Sequence, residues 1–145
     1  VLTIKLVEEL RENESGVYGV GARGSMSKVP YGSYNFSISF PCGPENAEKL
    51  TESALRELNK MVTNGPEQKD LDKFKEASRL EYKESLKDNR YWMAVLKRQY
   101  TDGVNPEEVF DFEAKLNALT VKELQDVAKK YLAKDKVIGI LMPEE

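Results

Sequence analysis

Apolar positions recur along this chain with two different periods, and the change from one to the other divides it into elements. Leu2, Leu6 and Leu10 are spaced by four residues, so residues 1–13 are predicted as an amphipathic helix. Residues 16–27 read as a glycine-bearing strand, and Pro30-Tyr31-Gly32 marks a turn. Tyr34, Phe36, Ile38 and Phe40 then alternate with Asn35, Ser37 and Ser39, the period of a strand with one buried face. The two strands are predicted to pair as an antiparallel hairpin.

Beyond the hairpin the spacing turns helical. Gly43-Pro44-Glu45 opens a helix, because proline's fixed φ suits the first helical position. Ala47, Leu50, Ala54, Leu58 and Met61 form its apolar stripe, and Asn64-Gly65-Pro66 stops it, with Gly65 suited to a left-handed cap. A third helix over 67–88 sets Leu71, Phe74, Tyr82 and Leu86 on one face and continues or kinks near Asn89 into Tyr91-Trp92-Met93, aromatics that read as packing. Asn105-Pro106 begins a further helix. Thr120-Val121-Lys122-Glu123 is a capping box, in which the threonine and glutamate side chains each satisfy an orphan amide. The helix behind it carries Val121, Leu124, Ala128 and Leu132, and residues 136–142 read as a short apolar closing strand.

The order helix, two strands, several helices, one strand predicts an α+β domain of two layers, an antiparallel sheet with helices packed on one face. The other sheet face would carry Asn35, Ser37 and Ser39, too polar for a core. A wet face lining a cleft and ordinary solvent exposure account for it equally.

Composition narrows the partners. The 145 residues are enough for a single domain over 1–145, and one of this size buries roughly 70% of its unfolded surface. The net charge is -3 and Lys and Arg alternate with Glu along the helices, so no basic stripe is available for nucleic acid. No apolar run approaches the ~20 residues of a membrane-spanning helix. Cys42 is the only cysteine, which rules out an intrachain disulfide and leaves the compartment open. Glu8-Glu9 and Glu144-Glu145 read as solvated acidic faces. The chain starts at Val1-Leu2-Thr3 with no capping residue ahead of its first helix, so it is expected to be a fragment of a larger protein.

Several short motifs match familiar chemistry without its context. Gly19-Val20-Gly21-Ala22-Arg23-Gly24 fits the dinucleotide fingerprint, but that motif must follow a strand and open a helix. Here it follows a helix, and Pro30 forbids a long one after it. Ser25-Met26-Ser27-Lys28 fits S-x-x-K without the S-D-N and K-T-G partners it requires. The chain has no histidine, and no spacing of Cys42 with carboxylates suggests a zinc site.

The stretch from Leu10 to Gly21 is different. A helix ends in Arg11, Gly16 breaks it, and Tyr18 follows seven residues after the arginine. By themselves an arginine at a helix C-terminus and a tyrosine in a strand are unremarkable placements. Their chemistry, however, suits an extended peptide. Arginine brings five donors in a rigid fork that can hold backbone carbonyls. A tyrosine hydroxyl is an uncharged donor at pH 7. Gly16 and Gly19 would leave room for close approach.

Leu10-Arg11-Glu12 with Gly16 and Tyr18 resembles the arginine–tyrosine signature of pitrilysin/insulinase-family zinc peptidases, in their bacterial type. Tyr34 to Phe40, Pro44-Glu45-Asn46, Gly65-Pro66, Tyr82 to Trp92, Leu124 to Leu132 and Ile140-Leu141-Met142-Pro143 follow in the family's order. The resemblance implies the carboxyl-terminal, non-zinc-binding half of a metallopeptidase, in a truncated copy, since the family's domain has strands ahead of the helix that opens here. It implies that Arg11 binds substrate and that Tyr18 does so too while stabilising the oxyanion. Zinc, on a His-x-x-Glu-His motif, would sit on the absent catalytic half, a homologous domain of the same chain or of a partner subunit. This chain alone would then be inactive. The implied partners are a peptide substrate and that zinc-bearing half, with self-association through an open sheet edge as a further route. A bacterial periplasm or cytoplasm would suit the parent protein. A catalytically inactive scaffold or processing-peptidase-like partner subunit is the competing implication.

Overall fold

Leu2, Leu6 and Leu10 do share one buried face, and two kinds of helical turn carry it. The computed structural model, which describes residues 1–28 and 30–143, has α1 over Leu2–Leu6 running directly into π-helical turns over Val7–Asn13. A strict four-residue spacing overshoots an α turn by about 40° per step. The wider i→i+5 turn takes up the excess, and Leu6 and Leu10 are fully buried.

Two units make up the chain, Val1–Pro66 with Lys122–Glu145 and Glu67–Val121. In the first, β1 (Gly21–Ser27) and β2 (Ser33–Ser39) form the antiparallel hairpin, in register from Gly21 opposite Ser39 to Ser27 opposite Ser33. The predicted strand over 16–27 is therefore shortened. Val17 makes only an isolated bridge to Cys42 and Tyr18 stands in a bend, so residues 16–20 stay outside the ladder, behind a left-handed Ser15 at φ 50°.

A 3-10 turn over Pro44–Asn46 leads into α2 (Ala47–Asn64), whose predicted stripe is buried throughout. Ala22, Phe36, Ile38 and Phe40 from the hairpin pack on the core made by α1, the π-helical turns and α2, joined by Ala128 of α6 (Val121–Leu132). Thr3 Oγ1 donates to the Ala22 carbonyl at 3.3 Å, tying α1 to β1. Gln125 Nε2 donates to the Thr63 carbonyl at 2.5 Å, and Tyr131 meets Tyr34 edge-on with ring centroids 4.9 Å apart. Arg23, Ser25, Asn35, Ser37 and Ser39 lie exposed on the opposite face. The fold is α+β, with helices on one side of an antiparallel sheet.

Two expectations for this unit change. Gly65 has φ 73° and ψ 175°, so it is not a left-handed helical cap but an extended conformation of positive φ, open essentially to glycine alone. Residues 136–142 form no strand, and Val137 and Leu141 are fully exposed. An extended segment becomes a strand only by pairing, and among the described residues the sheet contains β1 and β2 alone. Glu144 and Glu145 lie outside the described residues.

The second unit is helical. α3 (Gln68–Ser85) stops short of the predicted end, and α4 (Asn89–Asp102) restarts where Asp88 Oδ1 accepts from Arg90 N at 2.8 Å. A 3-10 turn over Pro106–Asp111, capped by the Asn105 side chain, precedes α5 (Phe112–Ala118). Tyr82 stacks on Phe112 at 4.5 Å and donates to the Val109 carbonyl at 3.0 Å, which holds α3 against the α5 region. Trp92 Nε1 donates to the Leu86 carbonyl across the break between α3 and α4.

Candidate functional site

The segment from Arg11 to Tyr18 leaves the π-helical turns, reverses, and enters the hairpin. Arg11 occupies the last helical turn and is exposed. Tyr18, one residue past the bridge of Val17 to Cys42, is 95% exposed. It stands in a bend ahead of β1, not within a strand as the sequence suggested. Neither side chain has a hydrogen-bond or ion-pair partner among the described residues. Neither is sealed in the core.

The backbone between them is held from several directions. Glu14 N donates to the Glu9 carbonyl and Gly16 N to the Leu10 carbonyl, each at 3.0 Å, closing the helix end. A Cβ on Gly16 would lie 2.6 Å from Leu50 Cδ2. The packing of Leu50 against this position thus favours glycine, whatever else approaches it. Gly19 does have open space around it.

Sequence reasoning missed the group that pins the turn. Glu14 folds back onto α2, where Ser53 Oγ donates to its Oε1 at 2.5 Å and Lys49 Nζ lies 3.0 Å from its Oε2. Arg56 Nη2 stands 3.6 Å from Oε1 and donates to Ser53 Oγ at 2.9 Å. The Ser53 hydrogen bond holds the Glu14 carboxyl below the usual carboxylate range. It acts against the desolvation that would raise it and is helped by Lys49 and Arg56. Glu9, read as a solvated charge, accepts from Arg56 at 3.4 Å and from Asn13 at 2.9 Å. The available signal was the polar row Lys49, Ser53 and Arg56, at helical spacing beside the apolar stripe of α2. A shallow open depression of about 420 Å³, lined by residues of α2 including Arg56 and Asn59, does not contain Arg11 or Tyr18.

The chain has no histidine. Among the described residues no three Cys, Asp or Glu side chains come together as a metal-binding group. The donors among the described residues do not fit a zinc site. The glycines of the nucleotide-like motif fall in β1 and just ahead of it, where no helix N-terminus is offered to phosphates.

A sequence model of the peptidase M16 inactive domain matches residues 2–78. The chain belongs to this family. The matched part of the M16 domain includes Arg11, Glu14 and Tyr18. A zinc protease PQQL-like protein of Arabidopsis thaliana is 30% identical over 70 residues, covering 48% of this chain and 7% of that protein. The periplasmic protease PqqL from Escherichia coli superposes with a TM-score of 0.70 at 21% identity, over 91% of this chain and 14% of the other. A peptidase M16 inactive domain from Pseudomonas fluorescens does so with a TM-score of 0.72 at 23% identity, over 87% of this chain and 29% of the other. This M16 domain therefore spans less than a third of the length of each of these proteins, and the solved structures share its fold.

Proposed function

We propose that this M16 inactive domain is the substrate-holding, non-catalytic part of a zinc metalloendopeptidase that degrades or processes peptides. One observation carries the reading. Arg11 and Tyr18 stand exposed, without partners among the described residues, on a turn whose backbone is pinned to α2. A guanidinium and a phenol presented in this way are free to donate to something outside the domain.

Arg11 would grip backbone carbonyls of an extended peptide through its planar fork of donors. Tyr18 would donate to the scissile carbonyl oxygen as it gains negative charge, an interaction stronger in the transition state than in the ground state. Zinc belongs to a homologous domain with a His-x-x-Glu-His motif, in the same chain or in a partner subunit.

The test joins this domain to that zinc-bearing half and measures peptide hydrolysis. Tyr18→Phe should lower kcat/KM by about 10²–10³-fold, the usual cost of one oxyanion donor, and Arg11→Ala should act mainly on KM. An unchanged kcat/KM in Tyr18→Phe removes the oxyanion role. If both variants hydrolyse peptides as wild type does, the domain is a scaffold and does not hold the substrate.

A further inference from the structure

We propose that Glu14 is a positioning residue: held by Ser53, Lys49 and Arg56 of α2, its carboxylate locks the turn between Arg11 and Tyr18 and sets how those two side chains meet a polypeptide. The proposal rests on the substrate-holding reading of this domain.

Glu14 lies three residues after Arg11 and four before Tyr18, so any swing of its backbone moves both. Its neighbours Glu12 and Asn13 are exposed, whereas the Glu14 side chain is only 12% exposed and Ser53 beneath it 2%. The contacts form a directed chain. Arg56 donates to Ser53, Ser53 donates to Glu14, and Lys49 and Arg56 supply two cations to the one carboxylate. Hydrogen bonds linked in series polarise one another and strengthen in a half-buried setting, and charge-assisted ones are the stronger kind.

The same helix supplies a second, apolar anchor. Leu50, one residue beyond Lys49, fills the space beside Gly16. With the left-handed Ser15 between them, Glu14 and Gly16 are both fastened to α2, and the turn has little freedom left. A surface ion pair placed only for stability would need neither the buried serine nor the matching glycine. Positioning has a physical use here, because an error of about 1 Å in a substrate-holding group can cost on the order of 10²-fold in rate.

The test uses the whole chain and a fluorescein-labelled, unstructured peptide of Ala, Ser and Leu. Affinity is followed by anisotropy, hydrogen exchange is read at the amides of residues 15–19, and thermal unfolding is recorded in parallel. Glu14→Gln should keep the fold, lose protection at residues 15–19, and bind the peptide roughly tenfold more weakly. Glu14→Asp, which keeps the charge facing Lys49 and Arg56, should recover most of that loss. Lys49→Gln, a change to an exposed side chain that leaves the core intact, should weaken binding in the same direction by a smaller factor. Unchanged protection in Glu14→Gln, or wild-type affinity in both Glu14→Gln and Lys49→Gln, overturns the positioning role alone. A wild-type chain that fails to bind the peptide removes the substrate-holding reading beneath it.

Discussion

At the scale of single residues, the contrast between Glu14 and its neighbours is the most telling. Ser53, 39 residues away in sequence, donates to the carboxylate and holds its pKa below the ordinary value of 4.5. A carboxyl depressed in the folded state adds stability that is fully present above the unfolded value and is lost as pH falls through the folded one. Wild type should therefore be more stable than Glu14→Gln at pH 7. The gap should close as the pH drops below 4.5, which thermal unfolding of the two proteins across that range will show. A gap that widens on acidification would contradict the assignment. The separation of Arg11 and Tyr18 is readable in the sequence because chemically distinctive residues at a fixed spacing form a pattern, and both side chains are exposed. Glu14 was not readable in this way, since nothing local marks a glutamate whose partners arrive from another helix. The packing of Leu50 against Gly16 was out of reach for the same reason, since Leu50 arrives from another helix.

Elements were legible where a local period sufficed. The α2 stripe, the alternation in β2 and the breaks at Gly65 and near Asn89 can all be found by counting. The π-helical turns could not, because the four-residue spacing of the leucines is compatible with an α-helix and only burial against the core selects the wider turn. Gly65 and Gly103 make a useful pair at this scale. Gly103 ends α4 in the ordinary left-handed region, φ 67° and ψ 21°, with open space around it. Gly65 combines φ 73° with ψ 175° and would bring a Cβ to 3.2 Å from Gln125 Cβ. Gly65→Ala should cost about 1–3 kcal/mol, and Gly103→Asn less than about 1 kcal/mol. Urea unfolding of both variants measures the difference, and equal costs would show that the α2–α6 contact can shift to relieve the strain.

For the molecule as a whole, the hairpin is the consequential feature. Among the described residues β1 and β2 pair only with each other, so each keeps an outer edge of backbone donors and acceptors. Residues 136–142 are largely apolar and exposed, and join no strand among the described residues, and such a segment together with open edges favours pairing between chains. Sedimentation should show association that grows with concentration. A double change of Ile138→Lys and Ile140→Lys should suppress it, while a chain that stays monomeric throughout would rule the mechanism out. The charges of the two lysines act only if these residues take part in the contact, which separates edge pairing from association through another surface.

Taken by itself, the chain of amino acids determined whatever depends on near neighbours: the helical stripes, the alternating strand, the turn at Pro30, the missing histidines, and the paired placement of Arg11 and Tyr18. Tertiary packing alone decided the rest. It ended the first helix with π turns, packed Leu50 against Gly16, left residues 136–142 without a partner strand among the described residues, and brought Ser53, Lys49 and Arg56 under Glu14. The reason is that periodicity records how a residue relates to the next turn of its own element. A hydrogen bond between residues 39 apart exists only once the elements carrying them have been packed together.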